Sequence, residues 1–365
     1  MRYCGRFVTG RSPALIVLLT TACGGPGDLP APQYVEPIAS TEVPASLSRS
    51  LVLLEGGIAC VTETYWHRIV CTHPRGESLA FGTKGEGPGE LLFPEVVLRA
   101  QDGMIGVLDT ELHRLSLFTE AGEFVKATSD FPLGFRGYER KVVGETLVGS
   151  YRDQSRNLMF AEIELATGRV LRVRIFPLEN DVVDCSTQSA TNRRLSAGYS
   201  GSDRSLLFVA CHGEFLVWYA DRKDAEPAAI VRSTYVERYP SDREVASVVR
   251  TLQTEPWIAT SEEEVRATPK VWYGPRVVDD RGRFWAVSRW EYLEDVIPRT
   301  SYIDLFDLTS EGPRYALTLE LQDKVIGMDV LDDTLAVLVE RDAGNVQAER
   351  RVDWYDILTV GDLKF

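Results

Sequence analysis

The residues best suited to chemistry in this chain are carboxylates that lie far apart in the sequence. Glu63, Asp109, Asp153 and Asp342 each fall in or beside a loop between predicted strands. Carboxylate oxygens are the ligands that Ca²⁺ prefers, so a fold that gathers these residues would provide a calcium site. The four histidines lack metal-ligand spacing, which argues against a zinc ion held by imidazoles.

A second group of loop residues mixes charged and aromatic side chains and suits the binding of a polar ligand. Its members are Lys84, Glu86, Arg152, Asp153, Arg289, Trp290, Glu291 and Arg341. An ordinary solvated surface is the alternative interpretation. The 289–299 loop is the favoured contact surface, because it is the longest and carries Trp290 and Tyr292. No Ser-His-Asp order, paired-carboxylate motif or cofactor fingerprint occurs, which favours a non-catalytic protein without a cofactor.

An internal repeat indicates which elements position these loops. A shift of 46 residues aligns Gly57 with Gly103, Val61 with Val107, Glu63 with Asp109, Thr64 with Thr110, His67 with His113, Arg68 with Arg114 and Gly76 with Gly122. Short strands repeating every 40–50 residues are typical of propeller blades. The two histidines occupy equivalent positions, so we expect them to serve structure rather than catalysis.

Weaker copies extend the pattern and predict an all-β, six-bladed β-propeller over residues 48–365. Turn positions recur near residues 57, 103, 144, 205, 282 and 334. The last copy lacks a fourth strand, which residues 33–40 or 358–365 could supply, closing the ring. Two capping boxes, at Ser241–Glu244 and Ser261–Glu264, predict a small helical insertion at about residues 236–268, between blades four and five.

The glycine-rich stretch Phe81–Pro94 resembles the inter-blade loop of NHL-type six-bladed β-propellers, and of a group of bacterial propeller lipoproteins in particular. It lacks the Gly-Lys-Ser/Thr of a phosphate-binding loop, so its glycines are expected to serve a tight turn. The resemblance implies that the candidate loops open on one face. It also implies an alternative function, a lactonase- or lyase-type enzyme with a calcium ion in the central tunnel. Fold carries over from the resemblance, but function does not.

The N-terminus predicts export and anchoring. Residues 1–22 have a basic start and a short apolar segment, and Leu19–Cys23 resembles the lipobox of bacterial lipoproteins. Cys23 is therefore the expected lipidation site, residues 23–47 a proline-rich tether, and the outer membrane the expected location. An ordinary secretory signal is the alternative. Removing residues 1–22 takes away three positive charges and changes the net charge from −14 to −17.

Four cysteines remain after Cys4 and Cys23 are set aside, an even number in an oxidising compartment. Cys60 and Cys71 flank a predicted hairpin and are expected to form a disulfide, which leaves Cys185 to pair with Cys211. Metal ligation is the alternative, but no CxxC motif supports it.

The net charge and the hydropathy limit the classes of partner that this chain can have. The acidic balance and the absence of a long basic run exclude an electrostatic nucleic-acid binder. No apolar stretch beyond residue 22 could span a bilayer, so the lipid is the only expected membrane contact. We therefore expect a monomeric binding platform for an envelope protein, peptide or glycan.

Overall fold

A computed structural model describes most of the chain beyond the N-terminal segment. The described residues are 30–44, 50–129, 131, 140–143, 145–152, 158–175, 195–200, 204–211, 214–219, 228–231, 239–254, 261–267, 275–288, 300–309, 312–341 and 348–359. They fold as an all-β propeller, as the repeat predicts. None of the helices among them is long and apolar enough to cross a bilayer.

Three four-stranded antiparallel sheets follow one another in the first half of the chain, with strands in sequence order. Sheet 1 contains Leu51–Leu53, Ala59–Glu63, Arg68–Thr72 and Ser78–Phe81. Sheet 2 contains Pro94–Arg99, Ile105–Asp109, Arg114–Phe118 and Phe124–Thr128. Sheet 3 contains Arg140–Val143, Thr146–Arg152, Leu158–Glu164 and Val170–Ile175.

Three further large sheets follow within the described residues, and Thr83–Lys84 and Glu90–Leu91 pair in parallel as a small two-stranded sheet between sheets 1 and 2. Sheet 4 contains Leu195–Ser200, Arg204–Cys211, Glu214–Tyr219 and Ala228–Val231. Sheet 5 contains Arg276–Val278, Arg283–Ser288, Thr300–Thr309, Gly312–Gln322 and Gln33–Tyr34. Sheet 6 contains Lys324–Leu331, Thr334–Arg341, Glu349–Asp356 and Ala39–Val43.

The sheets close into a ring through their first strands. The first strand of each sheet contacts the first strand of the next, and the first strand of sheet 6 contacts that of sheet 1. The N-terminal segment also takes part: Ala39–Val43 is the outer strand of sheet 6, and Gln33–Tyr34 adds in parallel to the outer edge of sheet 5. This corrects the predicted 23–47 tether, because backbone pairing commits residues 33–34 and 39–43 to the propeller.

Apolar side chains fill the spaces between neighbouring sheets. Phe81 of sheet 1 lies in one buried cluster with Phe118 of sheet 2, and Trp354 of sheet 6 in another with Leu53 of sheet 1. Separate clusters join sheet 2 to sheet 3 and sheet 5 to sheet 6. Face-to-face burial of this kind is what gives short strands a shared core.

Two helices, Asp242–Thr254 and Glu262–Ala267, lie between sheets 4 and 5 in the sequence. Both begin as the capping boxes predict. The Ser241 N–H donates to the Glu244 carboxylate at 2.7 Å, and the Ser261 N–H to the Glu264 carboxylate at 2.6 Å. The bond from Ser261 lowers the pKa of Glu264. Four short 3₁₀ helices accompany the described strands: Glu55–Gly57, Thr64–Trp66, Gln101–Gly103 and Ile357–Thr359.

The Cys60–Cys71 disulfide is confirmed, because these residues face each other directly across the two central strands of sheet 1. Cys211 ends the second strand of sheet 4, whereas Cys185 lies outside the described residues. Their pairing stays a prediction.

The 46-residue repeat is visible in the backbone as well. His67 and His113 both adopt the left-handed conformation, with φ of 55° and 48°. Each ends the loop between the second and third strands of its sheet, which agrees with the structural role expected for this pair.

Candidate functional site

The loop 82–93 connects sheet 1 to sheet 2 and folds around its own polar groups. The Arg114 guanidinium donates to the carbonyl oxygens of Glu86 and Glu90, and the Gly87 N–H donates to the Glu90 carboxylate at 2.7 Å. Gly85 has a φ of 157°, and a Cβ there would lie 2.0 Å from that carboxylate. The glycines thus serve a tight turn, and Lys84 and Glu86 stay exposed.

Asp109 organises two loops at once. Its buried carboxylate accepts hydrogen bonds from the backbone N–H groups of Leu92 and Phe93 in the connecting loop, and of Glu111 and Leu112 in its own loop, at 2.6–3.1 Å. Four N–H donors satisfy most of the acceptor capacity of one carboxylate. The contacts assign Asp109 a structural role, not the metal-ligand role that the alternative function requires.

Glu63 occupies the equivalent position in sheet 1 and forms an ion pair with Arg68. Its carboxylate is 2% exposed. Within the described part of the chain, no three His, Cys, Asp or Glu side chains come together as a metal site requires. The structure therefore does not unite Glu63 and Asp109 with a third ligand, and Asp153 and Asp342 lie outside the described residues.

Arg341, at the end of the second strand of sheet 6, belongs to a charged network. Its Nε lies 3.1 Å from Asp323, which also pairs with Arg351 at 3.0 Å. Arg351 in turn donates to the buried Asp353. Burial lowers the pKa of Arg351, but that hydrogen bond and the charges of Asp353 and Asp323 together outweigh burial and leave the pKa raised. Burial raises the pKa of Tyr355, and the Asp353 charge raises it further.

A second ion-pair group on sheet 6 lies beside this network. Glu340 pairs with Arg350 at 2.8 Å and with Lys324 at 3.3 Å. Burial opposes ionisation of Glu340, but the Arg350 hydrogen bond and the Lys324 charge outweigh burial and lower its pKa. Ion pairs with neighbouring residues thus hold the side chains of Arg341 and Glu340 in place and fix the arrangement of charges at this edge of sheet 6.

The side chains of the remaining predicted binding residues lie outside the described part of the structure. Arg152 ends the second strand of sheet 3, with only its backbone described. Asp153, Arg289, Trp290 and Glu291 lie outside the described residues, as does Tyr292. Ligand binding by these residues stays a prediction.

An exposed aromatic pair beside the connecting loop was missed at the level of sequence. Tyr65 and Trp66 are 61% and 66% exposed on the turn between the second and third strands of sheet 1. On either side of the pair, the Thr64 hydroxyl donates to the carbonyl oxygen of Pro94 at 2.8 Å and His67 Nδ1 to that of Leu92 at 2.6 Å.

Phe93 extends this surface. It lies between the two residues that accept those bonds and is 40% exposed. The turn and the connecting loop are therefore joined on both sides of the aromatic residues. The signal in the sequence was two adjacent aromatic residues at the tip of a hairpin whose strands carry the two cysteines.

The far ends of the first strands carry a different feature. Arg99 ends the first strand of sheet 2, and its guanidinium lies 3.3 Å from Asp329 on the first strand of sheet 6 and 3.9 Å from Asp280 beside sheet 5. First strands surround the axis of a propeller. The guanidinium thus brings together three sheets at the centre of the ring, at the end opposite the connecting loop.

The chain is similar in structure to several solved propeller proteins. No protein-family model and no curated protein matches the chain. A DUF4221 member from Bacteroides vulgatus has 13% identity and a TM-score of 0.47, with 87% of this chain and 96% of that chain covered. A gluconolactonase from Xanthomonas campestris has 8% identity and a TM-score of 0.46, covering 86% and 88%.

A third solved structure, the calcium-binding protein regucalcin from Agrobacterium tumefaciens, has 11% identity and a TM-score of 0.45, covering 88% of this chain and 95% of that chain. Identities and TM-scores this low transfer no activity. The propeller assignment rests on the sheets and their cyclic contacts.

Proposed function

We propose that this chain is an extracytoplasmic, lipid-anchored propeller that acts as a non-catalytic binding platform for an envelope protein, peptide or glycan. In this proposal the six sheets are the six blades of an NHL-type propeller of the bacterial lipoprotein group. Cys23 carries the lipid, the outer membrane is its location, and the chain works as a monomer.

One observation supports the binding role: two segments joined by hydrogen bonds expose aromatic and charged side chains that do not form a catalytic arrangement. Tyr65, Trp66 and Phe93, with Lys84 and Glu86, are exposed on two segments joined by hydrogen bonds. A pre-ordered surface loses little conformational entropy on binding, which favours affinity. Of the two buried carboxylates beside this surface, Asp109 accepts hydrogen bonds from backbone N–H groups and Glu63 forms an ion pair with Arg68.

The alternative, a metal-dependent lactonase- or lyase-type enzyme, has less support. It needs carboxylates free to bind an ion at the centre of the ring. At one end of that centre the carboxylates of Asp329 and Asp280 are paired with the Arg99 guanidinium, so an ion bound there would compete with an existing positive charge. Elemental analysis of the purified chain tests the alternative: about one calcium or zinc ion per chain would favour the enzyme over the platform.

Site-specific photo-cross-linking in cells tests the platform. A photoreactive residue replaces Glu86 on the connecting loop or, as the matched control, Glu145, an exposed residue between the first and second strands of sheet 3. The first strand of a sheet runs away from the loop that precedes it, so this position lies at the other end of its sheet. We expect a defined adduct from position 86 and none from position 145. Equal labelling, or no adduct from position 86, would contradict the proposal.

The anchor has its own test. Replacing residues 1–23 with a cleavable secretory signal that leaves no cysteine to acylate should move the protein from the membrane fraction to the soluble envelope fraction. A variant that stays with the membrane would show that the lipoprotein assignment is wrong. Mass spectrometry of the N-terminal peptide of the unaltered protein should find a diacyl- or triacyl-modified cysteine.

A further inference from the structure

The fold does not require the exposed aromatic pair, because the second copy of the repeat forms the equivalent turn with other residues. In the 46-residue repeat, Tyr65 and Trp66 correspond to Glu111 and Leu112. The residues around them are kept between the copies: Glu63 and Asp109, Thr64 and Thr110, His67 and His113, Arg68 and Arg114. The same turn is therefore built in sheet 2 without either aromatic ring.

The turn that carries the pair is fixed at its base and at its sides. The Cys60–Cys71 disulfide joins the two strands below it, and the Glu63–Arg68 ion pair joins the strand ends. Hydrogen bonds from Thr64 and His67 hold the turn to the connecting loop. An exposed Tyr-Trp pair on so constrained a turn resembles the pre-ordered aromatic anchors of binding surfaces.

The surroundings of the pair identify the chemistry that would be recognised. Arg68, Lys84 and Glu86 supply exposed or half-exposed donors and acceptors of both charge signs. Aromatic faces bordered by polar groups match a ligand with an apolar face and a polar edge. A sugar ring has this form, since its axial C–H groups stack on an aromatic ring while its hydroxyl groups point outward to hydrogen-bonding side chains.

Local charge narrows the ligand further. Lys84 and Glu86 offset each other, so this part of the surface neither attracts nor repels a charged ligand strongly, although the mature chain carries −17. An anionic polysaccharide would meet repulsion from the whole chain. A peptide helix would need a continuous apolar groove, whereas these two segments expose the charged side chains of Lys84 and Glu86 as well as aromatic ones.

We infer that Tyr65 and Trp66 form a stacking site for a neutral glycan, with Lys84 and Glu86 contributing hydrogen bonds to its hydroxyl groups. The inference rests on the proposed binding function and specifies its ligand. It adds the exposed rings of sheet 1 to the contact surfaces predicted from the sequence.

The test uses the processed chain carrying Cys23→Ser and a panel of neutral oligosaccharides: cellohexaose, maltohexaose, chitohexaose and xylohexaose. Tryptophan fluorescence and titration calorimetry measure binding. The double variant Tyr65→Glu/Trp66→Leu restores the sequence of the sheet 2 turn and should keep the fold. Tyr239→Ala, at an exposed tyrosine elsewhere, is the matched control.

We expect at least one panel member to bind with a dissociation constant in the range of about 0.01–1 mM. The double variant should bind it at least about tenfold more weakly, and Tyr239→Ala should bind it unchanged. Unchanged affinity in the double variant would overturn the inference. So would a panel without any binder, even where Glu86 cross-links to a protein, an outcome that refutes the glycan and leaves the binding platform standing.

Discussion

Arg99 and Asp329 are 230 residues apart in the sequence, yet their side chains form an ion pair at 3.3 Å between sheets 2 and 6. The Asp329 carboxylate also accepts the backbone N–H of Leu53, in sheet 1, at 2.8 Å. One carboxylate therefore ties together three consecutive sheets where the ring closes. Contacts of this kind keep a closed ring from opening at the junction between its first and last sheets.

Removing either charge of this pair should lower the stability of the ring. Arg99→Met and Asp329→Asn are each expected to reduce the free energy of unfolding by about 1–3 kcal/mol, because each leaves a charged partner half-buried. Urea denaturation of both single variants and the double variant measures the coupling, which should be about 1 kcal/mol. Additive effects, within about 0.5 kcal/mol, would show that the two residues act independently.

The N-terminal strand should be needed for closure. A chain that begins at residue 45 lacks the outer strand of sheet 6, which exposes the edge of the strand carrying the buried Trp354. We expect it to unfold at a lower temperature or to aggregate, whereas a chain that begins at Ala31 should match the processed protein. A synthetic peptide of residues 31–44 should partly restore the shortened chain. Equal melting temperatures for the two chains would contradict the assignment.

The disulfide of sheet 1 should contribute to stability directly. Cys60 and Cys71 are 11 residues apart, and closing a loop of that size stabilises a protein by about 2–3 kcal/mol. Cys60→Ala/Cys71→Ala should lower the free energy of unfolding by that amount in urea denaturation. Peptide mapping without reduction should recover the two cysteines in one linked peptide. Free thiols at both positions would refute the bond.

Glu340 should make the free energy of unfolding depend on pH in the acidic range. Its folded-state pKa lies below the usual value of 4.5, so its ion pairs stabilise the fold above that value and are lost as the pH falls through the lowered pKa. Glu340→Gln should therefore be less stable at pH 7, by about 1–3 kcal/mol, and should lose less stability between pH 5 and pH 3. The control is Glu349→Gln, at an exposed position on the neighbouring strand, where Glu349 pairs in register with Arg341. Parallel pH profiles for Glu340→Gln and the unaltered protein would contradict the assignment.

Features that depend on neighbouring residues were predictable from the sequence. Each copy of the repeat is a short segment of the chain. Cys60 and Cys71 face each other across one hairpin, and each capping box joins residues three positions apart. Their geometry follows from strand alternation and from helix termini, which are local rules. The all-β propeller was predictable for the same reason, since each copy of the repeat forms its own sheet.

Features that depend on ring closure were decided only by the tertiary structure. Asp109 is a candidate metal ligand only in the alternative function, and the sequence does not show that the N–H groups of Leu92 and Phe93 reach its carboxylate. The sequence offers residues 33–40 as one of two sources of the missing strand, and the backbone pairing shows that Ala39–Val43 supplies it while Gln33–Tyr34 adds to sheet 5. The exposure of Trp66 likewise depends on which face of the turn meets the connecting loop. The local pattern specifies each sheet, but how residues 33–43 reach the last two sheets depends on contacts between residues about 300 positions apart, which no short-range rule predicts.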